Sequence, residues 1–426
     1  MANRLLALVM ALCVLPAAAG LAADWPQFRG PNRDGKSSET GLLKAWPTEG
    51  PKLLWKATGC GAGFSSPVIV GDTIYTAGDV DGQAAVVAFT LDGKPKGKLP
   101  FAKAIGVGDA NYHPGFRSTP TIDGGALFIL GADGELVCAN NKTLQRVWGF
   151  NILQKFGGKC GSWKLAESVL IDGDKLICTP GGPNATIVAL DKKTGNPSWT
   201  SKGLSDPAAY ASCIKFAVGN IPMYATMTEK GVVGVSANTG QFLWRYDRPA
   251  NGTANCPSPV FGDGRVFEAT GYNSGGGQVE IKVAGANVTA SQTWETKDMV
   301  CHHGGYVLVD GFLYGNHGGA WACLDWKTGA KKWTGRGVGK GCVIYADGML
   351  YCQGEGKSIG LVEAKPDGFK QVSQFPLPPD GKGELWAHPA ISNGRLYIRH
   401  GDVLFCYDIK APGGAGKSGP APDKKD

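Results

Sequence analysis

The sequence is poor in what marks most catalytic and nucleic-acid-binding classes. It has 6 histidines and 6 methionines in 426 residues, and Asp, Glu, Lys and Arg together make up 19%. No H-E-x-x-H or H-x-x-E-H occurs, so the local signatures of zincins are missing. No C-x-x-C occurs, which argues against a zinc knuckle or a thioredoxin-like redox role. The formal charge is only +7, with no basic run interleaved with aromatics, so no nucleic acid is expected as a partner. After residue 23 no apolar run is long enough to cross a bilayer.

What is abundant is turn chemistry: 65 glycines and 26 prolines, spread without a collagen-like period. A unit of strand, tight turn and tryptophan strand, clearest at Ala185–Trp199 (ATIVALDKKTGNPSW), returns at Val232–Trp244 and Ala320–Trp333. A weaker copy, Gly134–Trp148, has Leu144 where the others carry the turn glycine. A second mark is a polar Gly/Asp/Asn turn followed by a large apolar residue, at Tyr75, Phe128, Ile177, Tyr224, Phe267, Tyr314, Tyr351 and Tyr397. Steps between these marks run from 37 to 53 residues, room for about four strands each, which is the size of a propeller blade. The last unit, ending at Leu404–Ile409, lacks a tryptophan strand, and Pro51–Ala57 with Trp55 supplies one from the other end. The expected fold is all-β: an eight-bladed β-propeller of four-stranded antiparallel blades over 51–411, its last blade closed by the N-terminal strand so that no sheet edge stays open. Met1–Ala23 reads as a signal peptide, with Arg4, the apolar run Leu5–Leu15 and small residues before the cleavage point, so export to a periplasmic or secreted location is expected. Residues 24–50 read as an N-terminal extended segment and 412–426 as a disordered tail.

The motif Ala189, Asp191, Thr194, Gly195 and Trp199 resembles the A-x-D-x-x-T-G-x-x-x-W repeat of the pyrroloquinoline-quinone (PQQ) propeller family, with near matches around Asp325 and Asn238. The opening DWPQFRGPNRDG (Asp24–Gly35) is also similar to the start of secreted PQQ-like propellers. The resemblance implies that each tryptophan docks between blades and that the acidic side chain caps the Thr-Gly turn. It also implies two branches of activity. Quinoprotein dehydrogenases hold PQQ and calcium on the axis, with a catalytic aspartate and, typically, a vicinal disulfide; no Cys-Cys pair occurs here. BamB-like assembly lipoproteins are cofactor-free scaffolds with a lipid-anchored cysteine, and Cys13 lies inside the apolar run rather than at its end.

In a propeller, loops entering the innermost strands share one face with loops between the second and third strands. That geometry collects all six histidines, His317 and His400 included, on one rim. The candidate ligand-binding residues at the channel mouth are His113, Arg117, Trp163, Tyr210, His302, His303, Lys340, Trp386 and His388. A metal on His302, His303 and His388 is the sharper alternative, opposed by the lack of ligand spacing and the adjacency of two of them. Glu167, Glu384 and Asp109 lie near the same entrances, where turn-capping or solvated carboxylates are the ordinary reading. Eleven cysteines follow the signal, an odd number, several at repeat-equivalent strand positions as small buried hydrophobes, and one or two disulfides near the entrances are an open alternative. The expected function is a non-catalytic scaffold that binds an envelope or extracellular protein or a small polar ligand, with no committed cofactor. The alternative is a PQQ- and calcium-dependent oxidoreductase acting on an alcohol or sugar.

Overall fold

The computed structural model describes residues 24–106 and 113–413; the signal segment, Asp109 and all but the first two residues of the tail lie outside them. The apolar marks found in the sequence each face the innermost strand of their unit: Val68 pairs with Tyr75, Thr121 with Phe128, Val260 with Phe267, Val307 with Tyr314 and Ala390 with Tyr397. The turns between these strands are tight because both central residues take positive φ at Asp263-Gly264, Asp310-Gly311, Asp347-Gly348 and Asn393-Gly394, the pattern of a type I′ hairpin. Eight antiparallel sheets follow. Blades 1 to 7 cover 68–103, 121–151, 170–200, 214–246, 260–296, 306–335 and 341–376. Blade 8 joins 390–408 to Lys52–Ala57, which pairs antiparallel with Val403–Asp408. The innermost strands are short, Val68–Val70 in blade 1 for instance. The residues before them line the axis. Among the described residues the one helix is Ile152–Phe156.

The repeat motif does the work of joining blades. Asp191 Oδ1 accepts hydrogen bonds from the Thr194 amide and hydroxyl and the Lys193 amide, and Asp325 does the same for Thr328 and Lys327. These bonds hold a turn whose last residue, Gly195 or Gly329, has φ near +73°. The indole of the preceding blade lies flat on that glycine. A Cβ on Gly195 would stand 2.9 Å from Phe150 and 3.0 Å from Trp148, and one on Gly329 2.5 Å from Trp294. The indole nitrogens then donate across the seam, Trp148 to Lys192 O, Trp199 to Ala237 O, Trp333 to Lys365 O and Trp55 to Leu91 O. The core is accordingly split into clusters between neighbouring blades, such as Phe128, Leu136, Leu176 and Leu190 between blades 2 and 3.

The N-terminal extended segment does not lie on the outside. It laces the axis. Trp25 exchanges both backbone bonds with Ile69 of blade 1, and Pro26 O accepts from Ile122 of blade 2. The Arg33 guanidinium donates to Ser168 O and Val169 O at blade 3 and Cys213 O at blade 4. Arg29 reaches Tyr306 O of blade 6. Lys36–Ser37 then adds a parallel strand to the inner edge of blade 7, and Glu39 accepts from the Asn393 and Gly394 amides of blade 8. Both guanidiniums are buried; Arg33 donates from all three nitrogens to carbonyl oxygens, and Arg29 donates from Nη2 to the Asp34 and Tyr306 carbonyls, which is how charge is tolerated in such a place.

Candidate functional site

A cavity of about 160 Å³ opens at the mouth of the axis, on the face opposite the hairpin turns. Its walls come from the segments that lead into the innermost strands: Phe64 (blade 1), His113 and Arg117 (blade 2), Trp163 and Ser168 (blade 3), Tyr210 and Ser212 (blade 4), Ala254 and Cys256 (blade 5), His302 and His303 (blade 6), and Trp386 and His388 (blade 8). Tyr272, in the loop after the second strand of blade 5, joins them. The floor is Phe28, carried up the axis by the N-terminal segment and set edge-on to His388 with ring centroids 5.0 Å apart.

Eight of the nine residues singled out from the sequence therefore meet around one cup. The ninth, Lys340, sits one step behind it, with Nζ 3.1 Å from Glu355 Oε1. His317 and His400 do not line the cup. His317 Nδ1 accepts from the Val300 amide, and His400 is buried with Nε2 bonded to Gly383 O. Glu167 is buried below the cup, accepting from the Thr179 amide and hydroxyl, and Glu384 stands 4.0 Å from His113. All eleven described cysteines are free thiols, so the disulfides left open by the sequence do not form. Burial pushes the thiols up, Cys256 and Cys301 to about 12, which makes them inert as nucleophiles.

The sequence reading missed the support below the rim. Ahead of the innermost strands a ring of hydroxyls takes amide hydrogen bonds from blade to blade. His388 N donates to Ser66 Oγ, Ser66 N to Thr119 Oγ1, Thr119 N to Ser168 Oγ, Ser168 N to Ser212 Oγ and Ser212 N to Ser258 Oγ, each at 2.9–3.0 Å. The recurring Ser or Thr before V-I, T-I, V-L and V-F was the signal available. Blades 6 and 7 break the ring with Gly305 and Cys342, and Arg29 uses the gap: a Cβ on Gly305 would stand 2.2 Å from its Nη1. Glu355, Phe28 and Arg29 carried no recognisable motif. One match runs the other way. Gly356–Gly360 reads G-x-S-x-G, but it spans a hairpin turn and a strand of blade 7 with no helix after it, so it is not a nucleophile elbow.

The walls are aromatic and imidazole. Trp386 packs on Phe64 at 4.9 Å, His113 at 4.7 Å and His303 at 5.2 Å, and Trp163 meets Tyr210 edge-on at 5.9 Å. Burial, helped by the Lys340 ammonium, lowers His302 to about 4 and takes His303 well below its ordinary value; burial beside Arg29 lowers His388 to about 3. These three imidazoles are neutral at pH 7. Arg117 is the only guanidinium among the described lining residues, and no carboxylate is among them.

Metal-ligating atoms come together at one place among the described residues. His302, His303 and Glu355 each offer an atom within 4.8 Å of the others. His388 is not one of them: its Nε2 donates to His303 O at 3.1 Å.

The family profile described as outer membrane protein assembly factor BamB matches residues 103–335. Among curated proteins, BamB of Shewanella oneidensis is 24% identical over 227 residues, 51% of this chain and 52% of that protein. The quinoprotein alcohol dehydrogenase PedH of Pseudomonas putida is 26% identical over 216 residues, 47% of this chain and 35% of that protein. The chain thus spans about half, or less, of the curated relatives it matches. The quinohemoprotein alcohol dehydrogenase of Comamonas testosteroni superposes with a TM-score of 0.67 at 13% identity, covering 94% of this chain and 82% of that one, a likeness of fold alone. With its repeat turns, docked tryptophans and eight closed blades, and with more than half its length matched by the profile, the chain belongs to the BamB-type family of PQQ-like β-propellers.

Proposed function

We propose that the protein is an exported binding module whose axial cup takes a flat, ring-sized ligand carrying a hydrogen-bond acceptor. The observation that carries this reading is the cup itself: a closed floor at Phe28, walls of Trp386, Trp163, Tyr210 and neutral imidazoles, and Arg117 as the single guanidinium. Its volume is close to the roughly 150 Å³ that accommodates a benzene ring in an apolar cavity. Aromatic walls reward a flat ligand through stacking, and a few polar groups fix its orientation.

The quinoprotein alternative asks the same place to hold a tricyclic tricarboxylate and a calcium ion. These residues do not fit that pair. Calcium takes six to eight oxygen ligands, yet the described lining residues offer no carboxylate and a single guanidinium for the cofactor's acid groups, and Phe28 and Arg29 fill the axis beneath. The protein-scaffold reading draws on the family description, and among the described residues no helix is long and apolar enough to cross a membrane.

The test is a titration followed by tryptophan fluorescence and thermal unfolding, with benzoate as ring-sized probe and PQQ plus calcium as competitor. Benzoate is expected to quench fluorescence and raise the melting temperature, by an amount equivalent to about 2.7 kcal/mol at a hundredfold excess over Kd. Arg117→Ala is expected to weaken it at least ~10-fold, a lost charge-assisted bond. Tighter binding of PQQ with calcium than of any ring-sized probe would overturn the reading.

A further inference from the structure

The cup wall between blades 6 and 8 carries more chemistry than stacking needs. We propose that His302, His303 and Glu355 bind one divalent transition-metal ion of the zinc or copper class, open on its remaining side to the cup. The inference is independent of what ligand the cup takes.

The spacing is that of a ligand set waiting to close. One atom from each of His302, His303 and Glu355 lies within 4.8 Å of the other two. His303 can give the ion only one ring nitrogen: Nε2 lies 3.6 Å from Glu355 Oε1, while the 3.4 Å contact to His302 Nδ1 is made by Nδ1. Two bonds of ~2.0–2.1 Å meeting at a tetrahedral angle put ligand atoms roughly 3.3 Å apart. Two imidazoles with one carboxylate, leaving a free position, is a donor set for zinc, copper or iron rather than for calcium or magnesium.

The surroundings supply the outer contacts that orient metal ligands. The Tyr272 hydroxyl is 3.1 Å from His302 Nε2, which leaves Nδ1 turned toward His303. Trp386 Nε1 donates to Glu355 Oε1 at 2.7 Å. His388 Nε2 holds the His303 carbonyl and so fixes the backbone of the pair. His303 Nε2 is buried with no hydrogen-bond partner, an orphan that ligation would satisfy.

Lys340 is the occupant to be displaced. Its ammonium balances Glu355 at 3.1 Å, but its side chain is one-third exposed and can swing into water as the ion enters. That exchange of one cation for another gives the site a signature that a structural cluster would lack: removing the lysine charge should improve metal binding.

The full chain, stripped with EDTA, is titrated calorimetrically with zinc, with copper and with calcium. One equivalent of zinc or copper and no calcium is expected. Glu355→Gln and His303→Ala should weaken zinc at least ~10-fold, Tyr272→Phe by roughly 10-fold, and Lys340→Met should tighten it. No stoichiometric uptake of zinc or copper would overturn the proposal. Uptake unchanged in Glu355→Gln and His303→Ala would do the same, by placing the ion on thiols. Should those variants fail to fold, the wild-type cobalt(II) complex decides. Ligand-field bands without a thiolate charge-transfer band support the site, and a thiolate band overturns it.

Discussion

Glu167 shows how a single buried residue contributes to the pH response of this molecule. Its carboxyl lies between Thr179 and Cys213 below the cup, and burial raises it from 4.5 to about 7 despite the bonds from Thr179 and the nearby Arg33. Asp79, half-buried, rises to about 6. Below pH 4.5 Glu167 is protonated in both folded and unfolded chains. As pH climbs from 4.5 to 7 the unfolded chain releases the proton and the folded one keeps it, so stability falls across that window and levels off above it. Glu167 alone should contribute a loss on the order of 3 kcal/mol. The buried imidazoles of His302, His303 and His388 act in the opposite sense, because the unfolded chain holds their protons up to about pH 6.5 and the folded one does not, so the Glu167 share is read as a difference. In denaturant melts at pH 4.5, 6 and 8, Glu167→Gln should gain stability relative to wild type as pH rises; a gap between the two that does not change with pH would mean that Glu167 does not titrate in this window.

The strand-turn-tryptophan unit is the element that the sequence displays most openly, because it recurs and because each of its residues has a fixed mechanical task. Gly240 has φ +73°, and a Cβ there would stand 2.4 Å from the Trp199 ring. Gly240→Ala combines left-handed strain with displacement of the indole from its seat, and a loss of about 2–3 kcal/mol is expected in a chemical melt. A loss below ~0.5 kcal/mol would show that the indole is free to move. Blade number and closing strand were legible for the same reason: eight marks have one answer, and Trp55 was the missing copy. The histidine loops could be brought to one mouth on paper because propeller connections alternate between faces. Phe28, Arg29 and Arg33 could not be placed, since a segment without a repeat says nothing about its partners. Glu355 was hidden similarly, in an ordinary hairpin turn whose neighbour His303 belongs to another blade. The exchange of His388 for Glu355 beside the histidine pair depends on blade-to-blade geometry, which no spacing along the chain encodes.

For the whole molecule, the N-terminal segment is the part that ties most blades together, with contacts to blades 1, 2, 3, 4, 6, 7 and 8. Arg33 is buried and ties blade 3 to blade 4 through three carbonyls, with Gln27 Oε1 on its remaining side. Arg33→Ala removes the side-chain donor of the Ser168 and Cys213 carbonyls and leaves Val169 O with the Thr121 hydroxyl alone, and a destabilisation of about 3 kcal/mol is expected. Arg33→Lys should not restore it, because one ammonium cannot reach both blades with the guanidinium's planar fork. The measurement is the denaturation midpoint together with tryptophan emission. Wild-type stability in Arg33→Lys would mean that charge alone suffices there.

The same lacing orders events in time. Glu39 is held by Asn393, 354 residues further on, and Lys52–Ala57 finds its partner only when Val403–Asp408 exists. Synthesis delivers the N-terminus first, yet its docking site is made last. Contacts of such sequence separation form slowly, after the entropy of closing almost the entire chain has been lost. The ring therefore shuts in a late step, and until then blades 1 and 8 face each other across an open seam. Opening that seam is the corresponding first step of unfolding. The lifetime of the folded protein is then set by how tightly some thirty N-terminal residues hold on, more than by any one blade.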